Sequence, residues 1–341
     1  MRRIPMVVWL GLSLFACGGG DDGAGDPDAQ GSRGDGGGPG GPGGDYFPPG
    51  AWWDEDVSGR PAAGNSDAII ASLRASGGWG NGDRFQIDFG MEVLEVGGGQ
   101  PAKRTFVPTA DFYDPDCDHV GLPVPEGGNL EGEDGYACDN DGDCHLIVVA
   151  RDERRLYEMW RADIRGDTFR GGCLAVWDTS AVPAPTGRGD QCTSADAAGF
   201  PIAPLLFTAD EVAAGEIDHA IRFILPNTHV RRGYVRPATH GTDTTGGPNA
   251  PSYGVHLRLR ADYPVAELPT EGARVVARAL QTYGMYHADG GQIALTAASD
   301  RRTTAKWDGL LGSRDLAALD VEDFEVIDHG PPITLTYDCD R

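Results

Sequence analysis

The stretch Phe85-Gln-Ile-Asp-Phe-Gly-Met-Glu-Val93 carries the fold class. Phe85, Ile87, Phe89, Met91 and Val93 alternate with Gln86, Asp88, Gly90 and Glu92. Period 2 is the mark of a strand with one face buried. Similar runs recur along the chain. His145–Ala150 is apolar and of strand length, and Arg155–Trp160 is a second β-rich run. Glu216–Leu225 and Val255–Ala261 alternate again. Gln292–Ala298, Val321–Ile327 and Ile333–Tyr337 complete the set, with Pro and Gly between them. Helix signals are few. Thr208-Ala-Asp-Glu211 is a capping box before a short helix that Gly215 ends. Thr270–Tyr283 is amphipathic, with Val275, Val276, Ala279, Leu280 and Tyr283 on one stripe and Gly284 as its stop. Leu310–Leu319 reads as a third short helix. The expectation is a mainly β fold, a β-sandwich or jelly roll with one or two peripheral helices. No βαβ alternation or Gly-rich nucleotide loop interrupts that reading.

The N-terminus has a different character. Arg2 and Arg3 precede an apolar run, Ile4–Leu14, and then Leu14-Phe-Ala-Cys17. The run is too short to span ~30 Å of hydrocarbon. It has the pattern of a secretory signal over residues 1–16. Its ending resembles the bacterial lipobox, which implies that Cys17 receives a diacylglycerol and anchors the protein to a membrane. Gly18 in place of Asp favours the outer membrane by the same resemblance. Residues 18–44 are almost entirely Gly, Asp, Pro, Ala, Ser and Gln. Such a segment reads as a disordered tether with a reach of ~25–30 Å. The rest, residues 45–341, is expected to form a single β-rich domain.

Charge and cysteine content narrow the partners. The net charge of −24 repels phosphate backbones, so nucleic acid is excluded as a partner. The chain has seven Cys. Setting Cys17 aside leaves an even number, which in an oxidising compartment reads as three disulfides. Cys173 and Cys192 flank the Pro/Gly-rich loop 183–189 and form the expected pair. Cys117, Cys138, Cys144 and Cys339 share the other two bonds, with the pairing open.

Three clusters could carry chemistry. Glu216 and Asp218, two apart on an expected strand, would lie ~6.5–7 Å apart. That suits an inverting glycosidase, with Arg222 orienting substrate. His219, on the apolar side of that strand, reads as a hydrogen-bonded core histidine. Asp139, Asp141 and Asp143 resemble the opening of a Ca²⁺ loop but lack its glycine and distal Glu spacing. His145 would share a face with Asp143 as an acid–base residue. Arg236 and His240 sit in a Thr/Gly-rich loop of the kind that carries binding residues, and Asp289 could join them.

Ser194-Ala-Asp-Ala-Ala-Gly-Phe-Pro201, Asp210–Phe223, Arg236-Pro-Ala-Thr-His240 and Ala279–Met285 resemble segments of a family of secreted bacterial proteins of unassigned activity. The resemblance covers residues 80–330. In that family the histidine stretch reads Trp-Pro-Ala-Arg-His, so Arg236 and Thr239 depart from it. The stretch after Met285 usually holds Ala-Asp-Asn-Gly, where this chain has Ala288-Asp-Gly-Gly291. The resemblance implies a coherent secreted domain. Export, tether, Trp content and paired carboxylates together lead to the expectation of a surface-anchored, polysaccharide-directed domain, a possible glycoside hydrolase. The alternative is a non-catalytic envelope lipoprotein that binds another protein.

Overall fold

In the computed structural model the Phe85–Val93 stretch is two strands, and Glu92 is the corner between two sheets. The structure describes residues 46–140 and 142–341. Cys17, the 18–44 segment and Asp141 lie outside the described residues. Strands are numbered in chain order. β1 (Ile87–Met91) belongs to a six-stranded sheet, and β2 (Val93–Val96) to a four-stranded one. Glu92 is buried at the switch and takes a hydrogen bond from Arg302 Nε at 2.9 Å. A buried carboxylate needs such a partner.

The larger sheet runs β1, β14 (Leu295–Ala298), β11 (Ile221–Leu225), β13 (Met285–Gly290), β12 (His256–Leu259), β15 (Phe324–Val326). The second runs β10 (Cys173–Asp178), β7 (Arg155–Trp160), β6 (Leu146–Ala150), β2. Two small sheets pair β3 (Lys103–Arg104) with β5 (Leu122–Pro123), and β4 (Val107–Pro108) with β9 (Thr168–Gly171) and β8 (Asp163–Arg165). The mainly β expectation with few helices holds. Both large sheets are mixed: β1/β14, β11/β13 and β2/β6 pair in parallel. Every residue of β6 is buried, so its continuous apolar run follows from cover on both faces.

α1 (Ser66–Ala75) was not read from the sequence, although Ile69, Ile70 and Leu73 form its buried face. α2 (Gly80–Asp83) is a single distorted turn. α3 (Ala209–Ala214) starts with the expected Thr208/Glu211 capping box and ends at Gly215, whose φ of +91° suits glycine. α4 (Glu271–Thr282) is capped by Thr270, whose hydroxyl accepts the Ala273 N–H, and it packs on β12. Residues 310–319 are turns rather than a helix. Gly312 breaks the run, its N–H held by Asp315 Oδ2 at 2.9 Å. Ile333–Tyr337 is not a strand either: Ile333 makes one bridge to Tyr234, and the tail is then held by Gln191. No described helix is long and apolar enough to cross a membrane.

Three disulfides form, but the expected Cys173–Cys192 bond is not among them. Cys117 pairs with Cys173, Cys138 with Cys144, and Cys192 with Cys339. Nearness in sequence misled. The Asp118 N–H bonds Leu174 O at 2.7 Å, which lays Cys117 beside the start of β10. The C-terminal tail brings Cys339 to Cys192.

Candidate functional site

β11 lies inside the larger sheet with neighbours on both sides, so even its Arg222 is buried. A buried guanidinium must be paired. Its Nε and Nη2 donate to Asp196 Oδ1 at 3.1 and 2.7 Å, and its Nη1 donates to Thr296 Oγ1 at 3.1 Å. Nη2 also reaches Asp289 Oδ2 at 3.3 Å. The β11/β13 register shifts between Phe223 and Ile224, where β13 carries one extra residue, Ala288. A bulge of this kind re-aims side chains, and here Asp289 comes to the Arg222 side. Asp196 is fully buried, and its Oδ2 has no partner among the described residues.

His145 and Glu131 extend this cluster. His145 Nδ1 meets Glu131 Oε2 at 2.6 Å and its Nε2 meets Ala195 O at 3.0 Å. Both ring nitrogens face oxygens, so both donate and the ring is an imidazolium. Burial opposes that charge, but Glu131 outweighs it and holds the His145 pKa up at about 9. The carboxylates Asp88, Glu131, Asp196 and Asp289 outnumber the cations Arg222 and His145. Burial accordingly pushes Asp196 up to about 8 against the pull of Arg222, and it raises Asp88 and Asp289 as well.

Above this cluster opens a cavity of about 510 Å³. Its walls come from chain segments far apart in sequence. Residues 193–197 and the end of β13 form one side, and the 240–243 loop and Tyr253 form another. Asp116 lines it, Oδ2 accepting the Thr193 N–H at 2.8 Å. Asp143 lines it too, accepting the Trp160 Nε1–H at 2.8 Å. Tyr113, Trp160, Tyr253 and Tyr337 add four aromatic rings to the lining. Gly290 leaves room for the Asn227 amide, which fills the space where a Cβ would stand. Cys173 is part of the wall, and Cys192–Cys339 ties the tail bearing Tyr337 to residue 193's strand of chain.

His240 is the buried base of this cavity. Its Nδ1–H donates to Ala197 O at 2.9 Å, which fixes the tautomer. Burial holds its pKa below the usual imidazole value, so the ring is neutral at pH 7. Nε2 is then a lone-pair acceptor, and it has no hydrogen-bond partner among the described residues.

The structure therefore brings His240, Asp289 and Asp143 to one cavity, with Arg222 behind Asp289. It separates the others. Glu216 and Asp218 are exposed on the loop after α3, because β11 begins only at Ile221. They do not line the cavity and are not a strand-borne pair. His219, next to Asp218, is buried against Glu211 and Ala220 O, as expected of a core histidine. His145 is a paired cation with both nitrogens engaged, so it is not an acid–base residue. Arg236 is bonded to Asp190 and to Ala238 O, away from the lining. Asp139 and Asp143, the described members of the expected Ca²⁺ group, face different partners. Asp139 Oδ1 pairs with Arg165 at 2.7 Å while Asp143 faces Trp160. Among the described residues the one ligand-like group of three is Glu133, Cys138 and Cys144. Both of those cysteines are in a disulfide, and Glu133 Oε1 is occupied by the Asp139 and Asn140 N–H groups.

Sequence reasoning missed Asp116 and Asp196. For Asp196 a signal existed: an acid set among Ala195, Ala197 and Ala198 will be buried and will need a cation. No family model matches this chain, and no curated protein or solved structure matches it. The fold and site define its class without such help: a mainly β, disulfide-bonded protein with an acidic, aromatic-lined cavity.

Proposed function

We propose that the cavity binds a glycan, on a protein exported and lipid-anchored through Cys17 at the outer membrane. One observation carries the reading. Four carboxylates and a neutral imidazole acceptor share a cavity of about 510 Å³ with four aromatic rings. Sugars present hydroxyl donors at their edges and C–H faces to aromatic rings, and a cavity of this size encloses a ligand of that scale. The segments behind the family resemblance also contribute here: Asp196, Arg222 and His240 each come from one of them. Hydrolysis by Glu216 and Asp218 forms no part of this reading, since both lie outside the cavity.

Titration of the purified protein with an oligosaccharide panel, followed by tryptophan fluorescence, tests it. Trp160→Ala and Asp289→Asn are expected to weaken binding by about tenfold or more, the loss typical of one aromatic or charged contact. A panel with no binder at millimolar concentration overturns the glycan reading. Reducing-end release in the same samples reads turnover, and its loss in Asp289→Asn alone would locate it in the cavity. The anchor has its own test: a fatty-acid analogue should label the wild type and leave Cys17→Ser unlabelled.

A further inference from the structure

We infer that the glycan this cavity selects carries a free ammonium group, a de-N-acetylated amino sugar, with that ammonium set against the Asp289 carboxylate. This rests on the glycan reading and narrows it to a substrate class.

The argument begins with what faces the cavity. Asp116, Asp143, Asp243 and Asp289 line it, and no Lys or Arg does among the described residues. The nearest guanidinium groups are committed elsewhere. Arg222 lies beneath the floor and is shared between Asp196 and Asp289. Arg232 pairs with Asp243 at the exposed rim, at 3.3 Å. Asp143 receives only the neutral indole N–H of Trp160, and Asp116 Oδ2 only a backbone N–H. Asp289 and Asp243 thus each have an Arg beside them and Arg188 lies by Asp116, which leaves Asp143 as the wall carboxylate with no cation partner among the described residues.

His240 is independent evidence for a donor-bearing ligand. It is 9% exposed and lines the cavity, and its Nε2 lone pair has no partner among the described residues. An acceptor that opens into the cavity without a protein partner is matched by a donor on the bound ligand. The floor adds to the demand. Asp289 is the member of that cluster that lines the cavity, and it shares Arg222 with the buried Asp196. A neutral sugar would satisfy the acceptors yet leave the charge. An ammonium does both, since each of its N–H groups donates and its charge meets Asp289. Uronates and phosphorylated sugars are repelled by the same walls. A bare metal ion finds no converging set of three protein ligands among the described residues that line the cavity. The chain's net charge of −24 also concentrates cations near its surface.

The test uses four probes on the full-length protein: a glucosamine tetramer, its N-acetylated form, a glucose tetramer and tetralysine. The glucosamine tetramer is expected to bind about tenfold tighter than either neutral sugar, a preference that shrinks in 0.5 M salt, as about one charge-assisted hydrogen bond implies. Asp289→Asn should bring the ratio close to one. Asp143→Asn, at an exposed position, should reduce it and remains informative if the Asp289 variant does not fold. Equal binding of charged and neutral tetramers overturns the ammonium inference and leaves the glycan reading standing. Binding of tetralysine with no sugar bound overturns both, as does the absence of any binding.

Discussion

Acids at the two ends of one short stretch of chain, one pair within it and one pair brought to it by the fold, meet opposite fates. Glu216 and Asp218 are exposed, and neither makes an ion pair among the described residues. Arg222, a few residues on, is buried with Asp196 and Asp289 on its guanidinium. The residue types are alike; the difference is desolvation. In water a carboxylate is satisfied by solvent and is worth little to the fold. In the core it requires a partner, and its protonation responds to every neighbour. The buried group, not the exposed one, is therefore where protonation depends on the fold.

The sharpest way to break that contrast is Arg222→Met. It leaves Asp196 and Asp289 without their cation, and a cost of ~3–5 kcal/mol in urea unfolding is expected. A cost under ~1 kcal/mol would mean that the acids simply take up protons and the cluster needs no guanidinium. Next in size is the bond that ties the cavity wall. Loss of Cys192–Cys339 through Cys339→Ser should cost ~2–4 kcal/mol and leave one titratable thiol per chain, on Cys192. Cys173→Ser should in turn expose Cys117; a thiol on Cys192 instead would restore the rejected pairing.

The pH dependence comes third. The His145 pKa, held at about 9 in the fold, exceeds the unfolded value of ~6.5. Its pairing with Glu131 thus contributes fully below pH ~6.5 and is lost as pH rises through about 9, on the order of 3 kcal/mol in all. Asp196 and Glu158 act in the same direction. Burial raises them to about 8 and about 7, so the folded state keeps protons that the unfolded chain has released, and stability falls as pH climbs through those values. The melting midpoint should decline steadily from pH 6 to 9, and His145→Gln should flatten part of that slope. A midpoint constant over this range would show the buried cluster to be electrostatically silent. The smallest effect belongs to the exposed pair. Glu216→Gln and Asp218→Asn should each stay within ~0.5 kcal/mol of wild type, with sugar affinity unchanged. A tenfold loss of affinity in either would return the site to the α3–β11 loop.

Much of the fold was legible locally. β7 spans the same residues that its β-rich run marked, and α4 matches its apolar stripe. Where reading failed, a distant partner had decided. Glu216–Ala220 alternates like a strand but pairs with none, since only from Ile221 does β13 lie alongside. β10 went unread, although it pairs with β7 along its whole length. Of the candidate site, His240 and Asp289 were legible as polar residues in or beside loops. Asp116 gave no such signal, because its place in the wall depends on the Cys117–Cys173 bond beside it.

The sequence by itself determined the mainly β class, the main helix and the presence of paired cysteines. These follow from short-range periodicity, capping and parity, which act within a few residues. Only the tertiary structure decided which cysteines join, where the chain changes sheets at Glu92, and which carboxylates become chemical groups. Arg222 meets Asp289 across 67 residues of chain. Nothing near either residue encodes that meeting. It arises because β11 and β13 pair in parallel inside a closed core, and burial then forces opposite charges together.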